Sequence, residues 1–402
     1  MKKTLAAVAV LGAFAGSAFA ADVTMYGRID TGLHYNNNQV DVDGQQIVDA
    51  DKFEMGSGLS TGSRLGLKGT EEINEDLKAA FVLEHGFNSD DGGDSDSNRF
   101  FNRESSVQLI SDTYGTLAFG RMGTIASDAG TFGFYAGAVN PFGSGWSAVG
   151  GQGVGAKISA LNDGRYDNTI TYKSPTFAGT TVYAQYSMKG DNFNADQKTY
   201  DENTHRVDRY AALGVNFATG ALNLAAVVDW VDEACTGSNP VKEPEDKYTF
   251  NVGGSYDFGV MKAFLAAQYF QNANDVGLMG TLVNDSGVLG TSVVDGKEVA
   301  NKFSADELKG YSVALGATVP AMGGNFLMSV SYTDAEDDAK DATAEFTGYQ
   351  AAVAYQYPLS KRTVLYTGVG YTNREADKLN AVEGNKAEQE TYDVSFGMVH
   401  YF

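Results

Sequence analysis

The sequence has very few residues that could form disulfides or bind structural metals. Of its 402 residues, one is a cysteine and four are histidines. Cys235 alone cannot form an intrachain disulfide, and the histidines are scattered without the spacing that zinc ligands need. The composition therefore excludes a disulfide framework, and we expect neither a bound metal nor a cofactor.

Outside its first residues, the sequence also lacks an apolar run long enough for a membrane helix. Lys2 and Lys3 precede a short apolar run, and Ala18-Phe19-Ala20 forms a small-x-small cleavage pattern. This pattern predicts a signal peptide over residues 1–20, which leaves 21–402 as a single domain. The best apolar run of that domain, 221–228, reaches about half the length of a membrane helix. The domain is therefore predicted to be either soluble or a transmembrane β-barrel, whose alternating strands are compatible with a mean hydropathy of −0.24.

Positive charge is scarce as well. The chain has 29 Lys and Arg against 51 Asp and Glu, which gives a formal charge of −22, or −24 without Lys2 and Lys3. So acidic a chain is not expected to bind nucleic acid. The acids cluster at 90–96 and 334–341, and such runs are typical of solvated loops. These loops could attract divalent cations, but neither has the spacing of a known calcium loop, so no metal site is predicted.

The dominant pattern in the remaining sequence has a period of two. Val394, Phe396 and Met398 share one parity, while Ser395 and Gly397 share the other. The same alternation recurs along the chain, and it indicates strands with one apolar and one polar or mixed face.

Short turns and long polar segments alternate between these strands, which is typical of outer-membrane barrels. We predict an all-β fold, a transmembrane antiparallel barrel of about 16 strands. The long polar segments are predicted near 36–61, 89–99, 122–164, 190–206, 232–246, 272–308, 334–345 and 374–390. The predicted strand cores are 23–35, 62–72, 78–88, 100–111, 116–121, 165–174, 180–189, 207–218, 221–231, 247–257, 261–271, 309–319, 325–334, 346–357, 363–373 and 391–402. A barrel of this size is too wide for side chains to fill, so a water channel should remain.

One predicted strand breaks the pattern. The region 100–121 alternates poorly, because Glu104, Ser105 and Ser106 are consecutive polar residues. We expect this region to face another subunit rather than lipid.

Five segments in the same order resemble the general porins of Gram-negative bacteria, in particular their betaproteobacterial and neisserial branch. They are 23–30 with Tyr26-Gly27-Arg28, 63–71 with Ser63-Arg64, 114–121 with Phe119-Gly120-Arg121, 166–175 with Tyr166-Asp167-Asn168, and 397–402 with His400-Tyr401-Phe402. The resemblance covers essentially the whole of 21–402.

The resemblance implies a homotrimer of 16-stranded barrels in the outer membrane of a Gram-negative bacterium, in contact with lipid and lipopolysaccharide. Each barrel would have its own pore with an inward-folded third loop, here about 122–164. Small hydrophilic solutes and ions would diffuse through it passively. His400 and Phe402 match the terminal signature that the barrel-assembly machinery reads.

The resemblance and the strand parity together give the candidate pore residues. Lys68 shares the parity of Arg64, which places both in the lumen, whereas Arg121 is ambiguous because it shares the parity of Leu117 and Phe119. The predicted constriction consists of Arg28, Arg64, Lys68, Arg103, Arg165, Glu84 and Asp128. The third loop lacks a glutamate that family members often carry near 140–145. We therefore expect a weak preference for anions, with the acidic outer loops favouring the opposite sign.

Two other functions remain open at this point. A substrate-specific channel could use an aromatic slide built from Phe132, Phe134, Tyr135, Phe142 and Trp146. An adhesive or structural barrel could act through its long 272–308 segment. An enzymatic barrel is not expected, because no nucleophile with a nearby base can be recognised in the sequence.

Overall fold

The computed structural model describes residues 22–146, 160–235, 245–273, 291–294, 297–300, 307–338, 344–377 and 386–402. The predicted signal peptide lies outside the described residues. Most of the predicted 272–308 segment and the part of the third loop from 147 to 159 also lie outside them.

The regular secondary structure of the described residues is almost entirely β-strand, with one short helix, α1 (Tyr135–Val139). The strands are β1 (Thr24–Val42), β2 (Gln45–Ser57), β3 (Arg64–Glu72), β4 (Leu77–Gly86), β5 (Glu104–Ser111), β6 (Gly115–Gly123), β7 (Arg165–Lys173), β8 (Thr180–Ser187), β9 (Arg209–Thr219), β10 (Leu222–Asp232), β11 (Lys247–Asp257), β12 (Lys262–Ala273), β13 (Thr291–Val294), β14 (Lys297–Ala300), β15 (Leu308–Ala321), β16 (Gly324–Asp337), β17 (Glu345–Pro358), β18 (Thr363–Asp377) and β19 (Lys386–Tyr401). No helix in these residues is long and apolar enough to cross a membrane.

Seventeen of these strands form one closed antiparallel sheet. The seam lies between β1 and β19, which pair from Arg28 opposite Tyr401 to Val42 opposite Ala387. Both β2 and β3 pair with the same side of β1. Residues 31–42 of β1 pair with β2, and residues 24–28 of β1 pair with β3, so β2 and β3 share one strand position in the wall. The barrel thus has sixteen strand positions, which confirms the predicted fold class.

The wall is inverted relative to a soluble protein. In β19, Val394, Phe396 and Met398 are about half exposed on the outer face, whereas Asp393 and Ser395 are buried on the inner face. Apolar side chains on the outside are favourable only where lipid rather than water surrounds the barrel. The period of two in the sequence therefore arises because lipid-facing and lumen-facing residues alternate along each strand.

Strand β5 alternates regularly, although its sequence does not show it. Glu104, Ser106 and Gln108 are buried on the inner face, and Val107 is exposed on the outer face. The pattern is hidden because Ser105 is a small polar residue on the outer face. The expectation that this region faces another subunit stays a prediction.

The predicted polar loop 36–61 is wrong. Most of these residues continue β1 and form β2, which pair as a long hairpin through the two-residue turn Asp43-Gly44. Both turn residues have positive φ, of 52° and 76°, as a type I′ turn requires. The strands look polar because they extend beyond the apolar band. For the same reason, β16, β18 and β19 extend into the predicted loops 334–345 and 374–390.

Candidate functional site

The described residues between β6 and β7, above all 124–146, pack against the inner face of the barrel. Helix α1 contacts β10, β11 and β12. Ile125, Tyr135 and Val139 of this segment form one buried apolar cluster with inward-facing wall residues such as Tyr210 and Val227. This is the segment for which the resemblance to general porins implies an inward-folded third loop.

Buried polar side chains of the wall hold the same segment in place. The Glu104 carboxylate accepts hydrogen bonds from the Thr131 backbone N–H at 3.0 Å and from the Thr131 hydroxyl at 2.6 Å. The Gln185 side chain accepts from Ile125 N–H at 3.1 Å and donates to the Gly123 carbonyl at 3.0 Å. Because each of these groups is buried, leaving it unpaired would cost about 1–3 kcal/mol, so the segment has one strongly preferred position.

Sequence reasoning missed Glu104 as an anchor of this segment. The available signal was a carboxylate on the same parity as Ser106 and Gln108, within a strand that spans lipid. Such a residue must face inward and find donors there.

Four arginines border one cavity of about 690 Å³ inside the barrel. Arg28 comes from β1, Arg64 from β3 and Arg165 from the first position of β7. The sequence predicts a strand over 100–111 that would include Arg103, but Arg103 lies directly before β5. The antiparallel register brings Arg28 directly opposite Arg64. Asp128, Asp163, Trp146 and the segment Ser60-Thr61-Gly62 also border the cavity.

Glu84 forms ion pairs with two of these arginines. Its carboxylate accepts from Arg103 Nε at 2.7 Å and lies 3.5 Å from an Arg64 side-chain nitrogen, and the Tyr26 hydroxyl donates to it at 3.1 Å. The side chain is almost fully buried. Its negative charge is therefore compensated locally by Arg64 and Arg103.

The balance of charge around the cavity is positive. Four arginines and two aspartates border it, which leaves an excess of two positive charges. Counting Glu84 as a third acid leaves an excess of one.

Two further candidate residues lie apart from this cluster. Lys68 pairs opposite Thr24, and its Nζ lies 5.3 Å from the Tyr26 ring centroid. Lys68 is not among the residues that border the cavity. Arg121 donates to Asp167 at 2.7 Å and to the Asn102 carbonyl at 2.8 Å.

Arg99 joins the connection between β4 and β5 to the same Asp167. It donates to Asp96 at 3.0 Å and to Asp167 at 3.2 Å, and it also contacts Asp191. Partial burial opposes its charge, but the hydrogen bond to Asp96 and the charges of Asp167 and Asp191 outweigh burial and raise its pKa. This network fixes the segment that ends at Arg103.

The aromatic residues considered for a slide pack the loop instead. Phe132, Tyr135, Phe142 and Trp146 are buried, and Phe134 stacks on Tyr183 with ring centroids 4.3 Å apart. An aromatic slide needs exposed ring faces along the passage, so this arrangement does not favour a substrate-specific channel.

The residues of the terminal signature lie at the barrel seam. Phe402 exchanges two backbone hydrogen bonds of 3.1 Å with Gly27, and the His400 ring lies 3.0 Å from the Thr363 hydroxyl. Within the described residues, no group of three or more His, Cys, Asp or Glu side chains is arranged to hold a metal ion.

A closed lipid-facing barrel with a charged internal cavity defines a membrane channel. The model of the Gram-negative porin family matches residues 6–377, and the chain belongs to this family. It is 34% identical to an outer membrane porin protein of Bordetella pertussis, over 94% of this chain and 95% of that one. It is also 28% identical to outer membrane porin protein 32 of Delftia acidovorans over the full length of both.

Solved structures show the same fold. An anion-selective porin from Comamonas acidovorans superposes with a TM-score of 0.61 at 23% identity, covering 95% of this chain and all of that one. A trimer form of OmpT from Vibrio cholerae superposes with a TM-score of 0.57 at 16% identity, with the same coverage. Because the chain belongs to the Gram-negative porin family, it is a general diffusion porin of the outer membrane, and small hydrophilic solutes and ions pass through it passively.

Proposed function

We propose that the cavity bordered by Arg28, Arg64, Arg103 and Arg165 is the constriction of the pore and gives it a weak preference for anions. The observation that carries this proposal is the excess of positive charge around the cavity. Fixed charges in a narrow passage raise the local concentration of ions of the opposite sign.

The acidic outer segments favour cations, but they act at longer range. Glu336, Glu345 and Asp377 lie opposite one another near the far ends of β16, β17 and β18. In solution at physiological salt, their field decays within about 8 Å, whereas ions must pass directly beside the cavity arginines. The constriction should therefore decide the sign of the preference. The likeness to a solved porin described as anion-selective supports the same sign.

A cysteine placed in the cavity tests whether ions pass through it. We expect T61C, in a C235S background, to lose conductance when a charged methanethiosulfonate reagent is attached. The anionic reagent should react faster than the cationic one, because the arginines attract it. Thr61 borders the cavity, and its replacement removes no charge.

The matched control is L213C, whose side chain is on the outer face of β9. It should not respond to the reagents from the aqueous phase. Full conductance of T61C after verified labelling would show that the main path of the ions avoids this cavity.

We further propose that the chain acts as a homotrimer, that residues 1–20 direct export, and that His400 and Phe402 serve the assembly machinery. Contact with lipid and lipopolysaccharide follows from the outer-membrane location. The trimeric form of a solved structure with the same fold supports the first of these proposals. The absence of catalytic activity stays a prediction.

A further inference from the structure

Asp30 is a fully buried carboxyl group on β1 that contacts two separate parts of the barrel. One oxygen, Oδ2, accepts the backbone N–H groups of Ser60 at 2.9 Å and Thr61 at 2.7 Å. The other, Oδ1, accepts the hydroxyl of Tyr366 from β18 at 2.5 Å. The groups that meet here are up to 336 residues apart in the sequence.

The first contact shapes the segment between β2 and β3. Residues 58–63 leave the sheet, and Ser60, Thr61 and Gly62 border the cavity. The Gly58 N–H also donates to the Asp30 carbonyl at 2.9 Å, and Ser63 Oγ accepts the Asp30 N–H at 3.0 Å. Asp30 thus binds this segment through both its backbone and its side chain.

The second contact supports the far end of the described part of the third loop. The Tyr366 ring packs edge-on against Trp146 with centroids 5.3 Å apart, and Trp146 packs edge-on against Phe142 at 5.7 Å. The backbone N–H of Trp146 donates to the Ser60 carbonyl at 2.9 Å. Trp146 has a φ of 62°, which a bulky residue adopts only when its surroundings hold it there.

The terminal signature makes room for this arrangement. Gly397 pairs opposite Tyr366, and a Cβ at Gly397 would collide with the Tyr366 hydroxyl. A glycine at this position therefore lets the hydroxyl reach Asp30.

We propose that Asp30 and Tyr366 are positioning residues that set the opening of the constriction by holding Ser60-Thr61 and Trp146 together. Neither residue borders the cavity, so both act through the groups that do. This inference rests on the proposed function, because it takes the cavity as the narrowest passage.

The test uses Trp146 as its own reporter. The chain has two tryptophans, so W230F leaves Trp146 as the only fluorophore of its kind. In that background, Y366F should shift the Trp146 emission to longer wavelength and increase its quenching by acrylamide about twofold, because the ring gains access to water. The single-channel conductance of the same variant should differ by about a factor of two from that of the W230F parent.

The matched control is Y371F on the same strand. The Tyr371 hydroxyl also donates to a carboxylate, Glu390, at 2.5 Å, but its ring lies on the outer face beside Tyr349 and Tyr392. We expect Y371F to leave both the emission and the conductance unchanged. D30N should resemble Y366F, and Y366F decides the matter if D30N does not assemble.

Identical behaviour of Y366F and Y371F in either readout would overturn the proposal. Both variants keep every charge around the cavity, so the sign of the ion preference does not enter this test. If Y366F changes neither the Trp146 fluorescence nor the conductance, while labelled T61C loses conductance, this inference alone is overturned. If labelled T61C keeps its full conductance, the proposed function is overturned, and this inference with it.

Discussion

Replacing Arg28 and Arg165 together by glutamine should move the zero-current potential in a KCl gradient to zero or to the cation-selective side. Within the described residues, neither arginine forms an ion pair with a carboxylate, whereas Arg64 and Arg103 both contact Glu84. The double variant leaves two arginines and two aspartates around the cavity, with Glu84 as a third acid. The formal excess of positive charge is then gone.

The expected effect is large on the thermal scale. A unit charge about 4 Å from a passing ion contributes about 1 kcal/mol even in water, which exceeds the thermal energy. The control is R362Q, which makes the same chemical change in the exposed turn before β18. An undiminished preference for anions in the double variant would mean that other charges set the selectivity.

Replacing Phe402 by alanine should lower the amount of porin in the outer membrane about tenfold, the factor that a loss of about 1.4 kcal/mol in recognition gives. The ring is the part of the proposed terminal signature that this variant removes. The two backbone hydrogen bonds between Phe402 and Gly27 do not need the ring, so the seam of the barrel can still close.

Refolding in detergent separates assembly in the cell from the stability of the barrel. Refolded F402A should run as a trimer on unheated gels and conduct like the original chain, and F402Y should assemble normally in cells. Normal amounts of F402A in outer-membrane fractions would show that the ring is not read. Failure of refolded F402A would assign the ring to the seam instead.

The sequence predicts the barrel well because lipid imposes one rule on every spanning strand. Outward positions must be apolar, and the period of two follows directly. The rule stops at the edge of the apolar band, which is why β1 and β2 look like a polar loop over 36–61. The Asp43-Gly44 pair was the signal for this hairpin, since it is a preferred sequence for a tight type I′ turn.

The candidate site can be predicted only in part from the sequence. The motif positions predict Arg28, Arg64, Arg103 and Arg165 as pore residues, and the structure places all four around one cavity. Lys68 has the parity of Arg64, but parity gives only the face of a strand and not the height along the pore. The height depends on the register between strands, which places Lys68 opposite Thr24.

Two contacts between distant segments could not be predicted from the sequence. The pairing of Asp30 with Tyr366 depends on the closure of the sheet between β1 and β19. The pairing of Glu84 with Arg103 depends on the course of the connection between β4 and β5, which no local pattern encodes.

The zero-current potential of the unaltered porin in a KCl gradient tests the central claim most directly. A pore whose narrowest part carries excess positive charge should favour chloride over potassium. The preference should weaken as the salt rises from about 0.1 M to about 1 M, because the screening length falls from about 10 Å to about 3 Å. A clear preference for potassium across this range would contradict the claim that the cavity arginines control which ions pass.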